Sequence, residues 1–263
     1  MTLSKAKLKD LRSLTHKKIR DQQKKFLIEG LRLVGDSIDS GFKLLEVFYT
    51  NELKESTAGK DLLVRLGNKT SNLHEISDRE MDLISETVTF QGIVAVVKQQ
   101  EFSLDSMLEN PERKSHLVAL DAVSDPGNAG TMVRSCDWFG MDGVLFGTNS
   151  VDLYNPKVLR ATMGGIFHMP IVEGVDLLST LSRAKELGYT VIVTDQSGET
   201  HCDRMNYPTR SLIVFGNEAW GVSDQVKELA DFRVSIRRYG LGDSLNVSVA
   251  CGIILSSVHR LYE

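Results

Sequence analysis

The 263-residue chain has only three cysteines, Cys136, Cys202 and Cys251. They are scattered, odd in number and never in CxxC spacing, which argues against a disulfide framework or a zinc site and fits a reducing cytoplasm. No apolar run approaches the length of a membrane span. The opening residues, MTLSKAKLKDLRSLTHKKIR, lack the apolar core of a secretory signal. They are basic and partly amphipathic, like an organellar presequence, but Asp10 counts against that reading. Positive charge is not in excess either. The 31 Lys and Arg against 35 Asp and Glu leave a net charge of −4, so any nucleic-acid partner has to be argued from a local patch. There is no GxGxxG after a strand, no GxxxxGK[ST] phosphate loop and no GxSxG elbow of a serine hydrolase. His168, His201 and His259 are scattered and read as surface or satisfied side chains, so no metal is expected. No internal repeat or low-complexity segment occurs.

What remains is an ordinary globular composition, 41% hydrophobic and 25% charged, in a chain long enough for one large domain or two small ones. Residues 1–100 read as one small α/β unit. FLIEG (26–30), LLEVFYT (44–50), NLHEIS (72–77) and GIVAVVK (92–98) have the short, apolar, β-branched or aromatic character of strands. LRLVGDSIDSG (31–41) between them is helical, with Leu31, Val34 and Ile38 on one face. A polar stretch around Pro111 is read as a linker over 101–115. From His116 strands and helices alternate. HLVALDAV, GVLFG, HMPIV, YTVIVTD, SLIVFG and FRVSI are strand candidates; TMVRSCDWF, LLSTLSRAKELG, SDQVKELA and NVSVACGIILSSVHRLY are helix candidates, the last with Val247, Ala250, Ile254, Val258 and Leu261 on one stripe. The near-continuous apolar strands imply a parallel sheet covered on both faces.

Three turn-rich junctions follow predicted strands, where ligands collect in open α/β sheets. In DPGNAGTMVRSCDWFG (125–140), Pro126, Gly127 and Gly130 read as a tight turn at the mouth of a helix. Asn128 lies in that turn and Arg134 one helical turn inside, able to reach back; a capped helix with a surface arginine explains the same residues. In VFGNEAWGVSD (214–224), Gly216 and Gly221 bracket Asn217 and Glu218. Glu218 is suited to accept hydrogen bonds from a ligand or arginine, or to cap the next helix, which already has Ser223. In SIRRYGLGDSLNVSVACGIIL (235–255), Ser244 and Asn246 both precede an apolar helix. Only one can cap it, leaving the other free.

Together, Asn128, Gly130 and Arg134, then GNEAWG, then SLNVSVA resemble the three ordered motifs of the SpoU (TrmH) family of RNA ribose 2′-O-methyltransferases, in the SPOUT superfamily. The resemblance implies a C-terminal SPOUT domain (116–263) with a parallel sheet and a deep trefoil knot. A smaller α/β, ribosomal-protein-like substrate-binding domain (1–100) would precede it. It further implies S-adenosylmethionine as cofactor, held by Gly216, Ile236 and Leu245 largely through backbone groups, with Thr194 and Asn217 lining the same pocket. Arg134 would activate the ribose 2′-hydroxyl, and Asn128, Glu218, Ser244 and Asn246 would hold that arginine, the ribose and the nearby phosphate. A guanidinium stays cationic and is an awkward base, so a phosphate or Glu218 would assist it, or it would stabilise the developing alkoxide. A homodimer is implied as well. One departure stands out: where the family usually has Pro-Met after the isoleucine of the third motif, IRRYG supplies Arg237 and Arg238, which either border the adenine pocket, face RNA phosphates or are simply solvated.

RNA binding by an acidic protein needs a local cationic face. Lys5, Lys7, Lys9, Arg12, Lys17, Lys18, Arg20, Lys24 and Lys25 stand against only Asp10 and Asp21 in the first turns of the chain. Of this region, Lys17, Lys18, Arg20, Lys24 and Arg32 are the expected RNA contacts, a solvated helix surface being the plainer explanation. The expectation is an rRNA 2′-O-methyltransferase. The rivals are a tRNA enzyme, an antibiotic-resistance methyltransferase of the same chemistry, and a non-catalytic RNA-binding ribosome-assembly factor.

Overall fold

The computed structural model describes residues 2–87, 89–109 and 114–258. Pro111 of the expected linker, His259 and Leu261 lie outside the described residues. The first hundred residues run α1 (Lys5–Ser13), α2 (Lys17–Gln23), β1 (Lys25–Glu29), α3 (Leu31–Asp39), β2 (Leu44–Thr50), α4 (Asn51–Glu55), α5 (Thr57–Gly67), β3 (Leu73–Ile76), α6 (Asp78–Ile84) and β4 (Ile93–Lys98). The chain continues through α7 (Leu104–Leu108), β5 (Ser115–Leu120), α8 (Pro126–Trp138), β6 (Gly143–Gly147), α9 (Pro156–Thr162), β7 (Ile171–Val175), α10 (Leu177–Glu186) and β8 (Thr190–Thr194). It closes with β9 (Thr200–His201), β10 (Arg210–Phe215), α11 (Asp224–Glu228), β11 (Phe232–Ser235) and α12 (Val247–Val258). Contacts divide it into two units, residues 1–100 with 154–167, and residues 101–153 with 168–263.

The first unit is built on a four-stranded sheet in the order β1-β4-β2-β3. β4 is antiparallel to β1 and β2, and β2 is parallel to β3. All four expected strands are present to within a residue or two. Leu11, Leu14, Phe48, Ile76, Met81, Ile84, Val94 and Val96 form a core cluster of this unit. Residues 154–167, which the sequence assigns to the second domain, pack here instead. The Tyr154 ring lies 4.5 Å from that of Phe26, Phe42 meets Phe167 edge-on at 5.1 Å, and Tyr154 Oη donates to the Gln100 carbonyl at 3.3 Å. Asn155 caps α9, with Pro156 as its first residue. The local pattern specifies that helix but not which core it joins.

The second unit carries a seven-stranded sheet, β7-β6-β5-β10-β8-β11-β9, parallel at every pairing. β5 and β6 are buried along their whole length and β10 along all but its first residue, as strands covered on both faces must be. Leu117, Ala119, Leu145, Val191, Val193, Leu212 and Val214 join Leu181 and Ala184 of α10 and Val226 of α11 in one core cluster. Two strand expectations shift. HLVALDAV stops at Leu120 because Ala122 takes a left-handed φ of 57°. HMPIV begins only at Ile171, because Pro170 cannot donate to the ladder and offers only its carbonyl, to Val144 N.

Candidate functional site

β5 and β10 are neighbours at the middle of the seven-stranded sheet. From β5 the chain proceeds to β6 on one side; from β10 it proceeds to β11 on the other. Such a reversal opens a crevice at the carboxyl ends of the two strands, and both exits are tied together there. The Asp121 carboxylate accepts from Ser223 N at 2.8 Å, and the Ala122 carbonyl accepts from Asn217 Nδ2 at 2.7 Å. The left-handed Ala122 that aims this carbonyl carries a strain of roughly 1–2 kcal/mol.

After β10 the chain doubles back at once. Asn217 and Gly221 exchange both backbone hydrogen bonds at 2.9 Å, and Gly221 has φ 72°. A Cβ on Gly216 would stand 2.1 Å from the Gly221 carbonyl carbon and the Val222 nitrogen, so only glycine fits there.

The first junction departs from its sequence reading. It is no tight turn: α8 starts at Pro126, with Asp125 as N-cap accepting from Asn128 N at 2.8 Å. Gly127 and Gly130 lie within the helix, and neither has positive φ. Asp-Pro at cap and first-turn positions is itself a helix-start signal, and it outranks the glycines. Arg134 therefore lies eight residues past Pro126 rather than one turn in, about 12 Å along the axis. It is exposed and makes no hydrogen bond or ion pair among the described residues.

Residues from all three junctions meet in one hydrogen-bonded cluster. Glu218 Oε1 accepts from Asn128 Nδ2 and Asp125 N, each at 3.0 Å, and Oε2 accepts from Ser124 N and Oγ at 3.2 Å. Asn128 Oδ1 accepts from Asn246 Nδ2 at 2.9 Å. Asn246 Oδ1 accepts from Ser248 N at 2.8 Å and Val249 N at 3.4 Å, so Asn246 is the cap of α12 and Ser244 is the residue left free. Partial burial pushes the Glu218 carboxyl up, but the hydrogen bonds from Asn128, its own backbone, Asp125 and Ser124 outweigh this and hold it below its ordinary value. Glu218 thus orients Asn128; it neither caps α11 nor pairs with Arg134.

Three of the expected cofactor residues, Thr194, Gly216 and Ile236, fall near one level of the sheet. Val214 is in register with Val193, and Val234 with Thr194. Thr194, Gly216 and Ile236 therefore sit at or just past the ends of three adjacent strands. Thr194 Oγ1 donates to the Val214 carbonyl at 3.0 Å, and Asn217 is buried. Ile236 is half-buried, Leu245 is 54% exposed, and Ser244 is exposed with no hydrogen bond among the described residues. Ser124, Asp125 and Ser248, which sequence reasoning passes over, complete the cluster. Only the Asp-Pro pair gave a signal for any of them.

In the first unit the cationic residues separate into kinds. Arg20 is 2% exposed and donates Nη1 to the Leu14 and Thr15 carbonyls at 2.8 and 2.7 Å; it joins α1 to α2 and is not free to meet a phosphate. Lys17 pairs with Asp21, Arg32 with Asp36 and Lys7 with Glu46. Lys24 is exposed, in the left-handed C-cap of α2. Lys5, Lys9, Arg12 and Lys18 are exposed without an ion pair among the described residues, the first three at helical spacing along one face of α1.

A parallel α/β domain with a satisfied polar cluster at its switch point, and an exposed arginine without a partner among the described residues two turns along the helix that leaves it, is of the class that binds small ligands at strand ends. The chain belongs to the SpoU rRNA methylase family, which it matches over residues 115–256; residues 5–95 match the MRM3-like substrate binding domain. It is 34% identical over 250 residues to the 23S rRNA (guanosine(2553)-2'-O)-methyltransferase RlmP of Bacillus subtilis (strain 168), covering 95% of this chain and 94% of that one. The 23S rRNA (guanosine-2'-O-)-methyltransferase RlmB of Neisseria meningitidis serogroup B is 28% identical over 235 residues, 89% and 94% of the two chains. The crystal structure of an AdoMet-bound rRNA methyltransferase from Sinorhizobium meliloti superposes with a TM-score of 0.86 at 27% identity, covering 100% of this chain and 98% of that one.

Proposed function

We propose that the protein is an S-adenosylmethionine-dependent RNA ribose 2′-O-methyltransferase acting on rRNA. The observation that carries the reading is the Glu218–Asn128–Asn246 chain of hydrogen bonds, which joins the three family motifs beside the open ends of β8, β10 and β11. The rRNA substrate rests on the names of the relatives, a tRNA substrate being the nearest alternative. A non-catalytic assembly factor would have no use for this intact cluster.

The strand ends fit the cofactor. Half-buried Ile236 and open Leu245 offer apolar surface to an adenine face, and Gly216, buried against the Gly221–Val222 backbone, brings main chain rather than a side chain to the strand end. Thr194 and Asn217 line the same region. Bound there, S-adenosylmethionine supplies an electrophilic methyl group on a sulfonium. The protein's own task is to position the ribose oxygen and stabilise the charge that develops on it. Arg134, with no partner to compete among the described residues, is the donor for that oxygen. Asn128 and Asn246, locked by Glu218 and by the α12 cap, hold the ribose, and Ser244 is free to bind the adjoining phosphate.

In this reading residues 1–100 with 154–167 form the RNA-binding unit, and residues 101–153 with 168–263 the catalytic unit with its trefoil knot; α7 of the expected linker belongs to that second unit, where Leu108 is buried in the core. The position of β10 between β5 and β8 supports a late segment entering the middle of the sheet. Exposed Trp138 at the end of α8, with Val249 and Ile253 on α12, supports a homodimer; sedimentation at twice the 29.3 kDa chain mass checks it. Free Cys136, Cys202 and Cys251 are compatible with a cytoplasmic site of action.

The deciding experiment is transfer of labelled methyl groups to unmodified RNA, fractionated into rRNA and tRNA and digested for mass spectrometry. A 2′-O-methylated nucleoside from the rRNA fraction, lost in Arg134→Ala, is expected. Transfer to tRNA alone would move the substrate. Loss of both transfer and cofactor binding in the wild-type protein would overturn the enzymatic reading.

A further inference from the structure

The Arg237–Arg238 departure finds no role in the cluster described above. The segment 236–246 leaves β11 and ends at Asn246, which is bonded to Asn128, so both of its ends are fixed beside the proposed reaction site. Arg238 Nη1 donates to the Gly242 carbonyl at 3.4 Å and closes the tip of the loop. Outside that closure Tyr239 is 88% exposed and Leu241 98%. Neither arginine has an ion pair among the described residues. Arg237 is half-buried, with Nε shut away from solvent and without a hydrogen-bond partner among the described residues, so its charge is weakly screened. Asp243 is the single acid of the segment.

An exposed aromatic ring next to guanidinium groups that no carboxylate neutralises is the combination that holds single-stranded nucleic acid: the ring stacks on a base and the cations follow the backbone. We propose that Tyr239 and Arg238 form a docking point for an unstacked nucleotide next to the one that is methylated. Tyr239 takes the base face and Arg238 a phosphate, with Arg237 adding positive potential below. This rests on the reading of the protein as an RNA methyltransferase. A cofactor role for the pair is the competing outcome.

The test uses the full-length protein and a short labelled oligoribonucleotide without secondary structure, alone and as a duplex. Cofactor binding is followed by calorimetry and methyl transfer on unmodified 23S rRNA transcript. Tyr239→Ala should weaken single-strand binding about tenfold, leave duplex binding unchanged, and raise the KM for RNA with little change in kcat. Tyr239→Phe should restore wild-type affinity. Arg238→Ala should flatten the salt dependence of binding by about 0.7 in slope. All three should bind S-adenosylmethionine like the wild type. Unchanged single-strand affinity in Tyr239→Ala, or failure of Phe to restore it, overturns the proposal; a loss in cofactor binding instead would assign the loop to the cofactor pocket. If the wild type methylates no RNA yet binds the oligonucleotide in a Tyr239-dependent way, the methylation reading falls and the docking point stands.

Discussion

In the first unit Arg20 is buried and gives Nη1 to two backbone carbonyls, whereas in the second Arg134 stands exposed on α8 with no partner among the described residues. A row of basic residues in sequence surrounds the first; a short motif surrounds the second. The difference teaches that charge density along a chain is a poor guide to which cation meets a ligand. An arginine buried with its Nη1 spent on two backbone carbonyls is structural, and one exposed on a helix with no partner among the described residues is available for chemistry.

Five variants sharpen this contrast, ranked by expected effect. Arg134→Ala should lower methyl transfer about a hundredfold or more with cofactor binding and stability retained, measured by labelled transfer and calorimetry. Arg134→Lys should remain strongly impaired; near-normal activity across pH would dismiss a special role for the guanidinium. Arg20→Ala should act in the opposite sense, sparing the chemistry but destabilising the first unit by about 2 kcal/mol, roughly thirtyfold in the folding equilibrium, because the Leu14 and Thr15 carbonyls lose a buried donor. Denaturant unfolding measures it, and a loss of RNA affinity without a loss of stability would reverse the assignment. Replacing Lys5, Lys9 and Arg12 together with Ala should weaken RNA binding on the order of tenfold and reduce the salt slope by about 2–3. Point changes are needed because truncating the first 25 residues would also remove Leu11 and Leu14 from the core.

Glu218→Gln should have the smallest effect and a particular pH signature. The folded carboxyl is held below its ordinary 4.5, so its ionised form is the one the fold prefers. That contribution is fully present above pH 4.5 and disappears as pH falls through the lowered folded value. The wild-type melting temperature should therefore exceed that of Glu218→Gln at neutral pH, and the two curves should converge in acid. A constant gap at all pH would mean that the hydrogen-bonding shape, not the charge, matters.

Much of the architecture was legible beforehand, because apolar runs such as SLIVFG and GIVAVVK can be satisfied only as buried strands. Glu218, Asn128 and Asn246 were also visible as candidates: Glu218 because a carboxylate at a glycine-flanked strand end has little packing role, Asn128 because it stands at the mouth of a helix, and Asn246 because it and Ser244 compete for one cap. The sequence reading erred where two local signals competed: at DPGN the Asp-Pro helix start prevailed over the glycines, and at HMPIV the proline postponed the strand. Composition did not indicate that Arg20 would be enclosed between α1 and α2, because its partners, the Leu14 and Thr15 carbonyls, are set by how the turn between the two helices folds rather than by the basic row around it.

The sequence by itself determined that strands and helices alternate, that the three motif junctions follow strands, and that Arg134, Asn128, Glu218 and Asn246 are the polar residues offered there. These follow from periodicity, caps and turn chemistry, which act over a few residues. Only the tertiary structure decided that β10 lies beside β5, that Glu218 spends its oxygens on Asn128 and the α8 entry rather than on Arg134, that residues 154–167 pack into the first unit, and that Tyr239 is left at an open loop tip. Those outcomes depend on which surfaces compete for the same core and the same donors, and that competition exists only once distant segments meet.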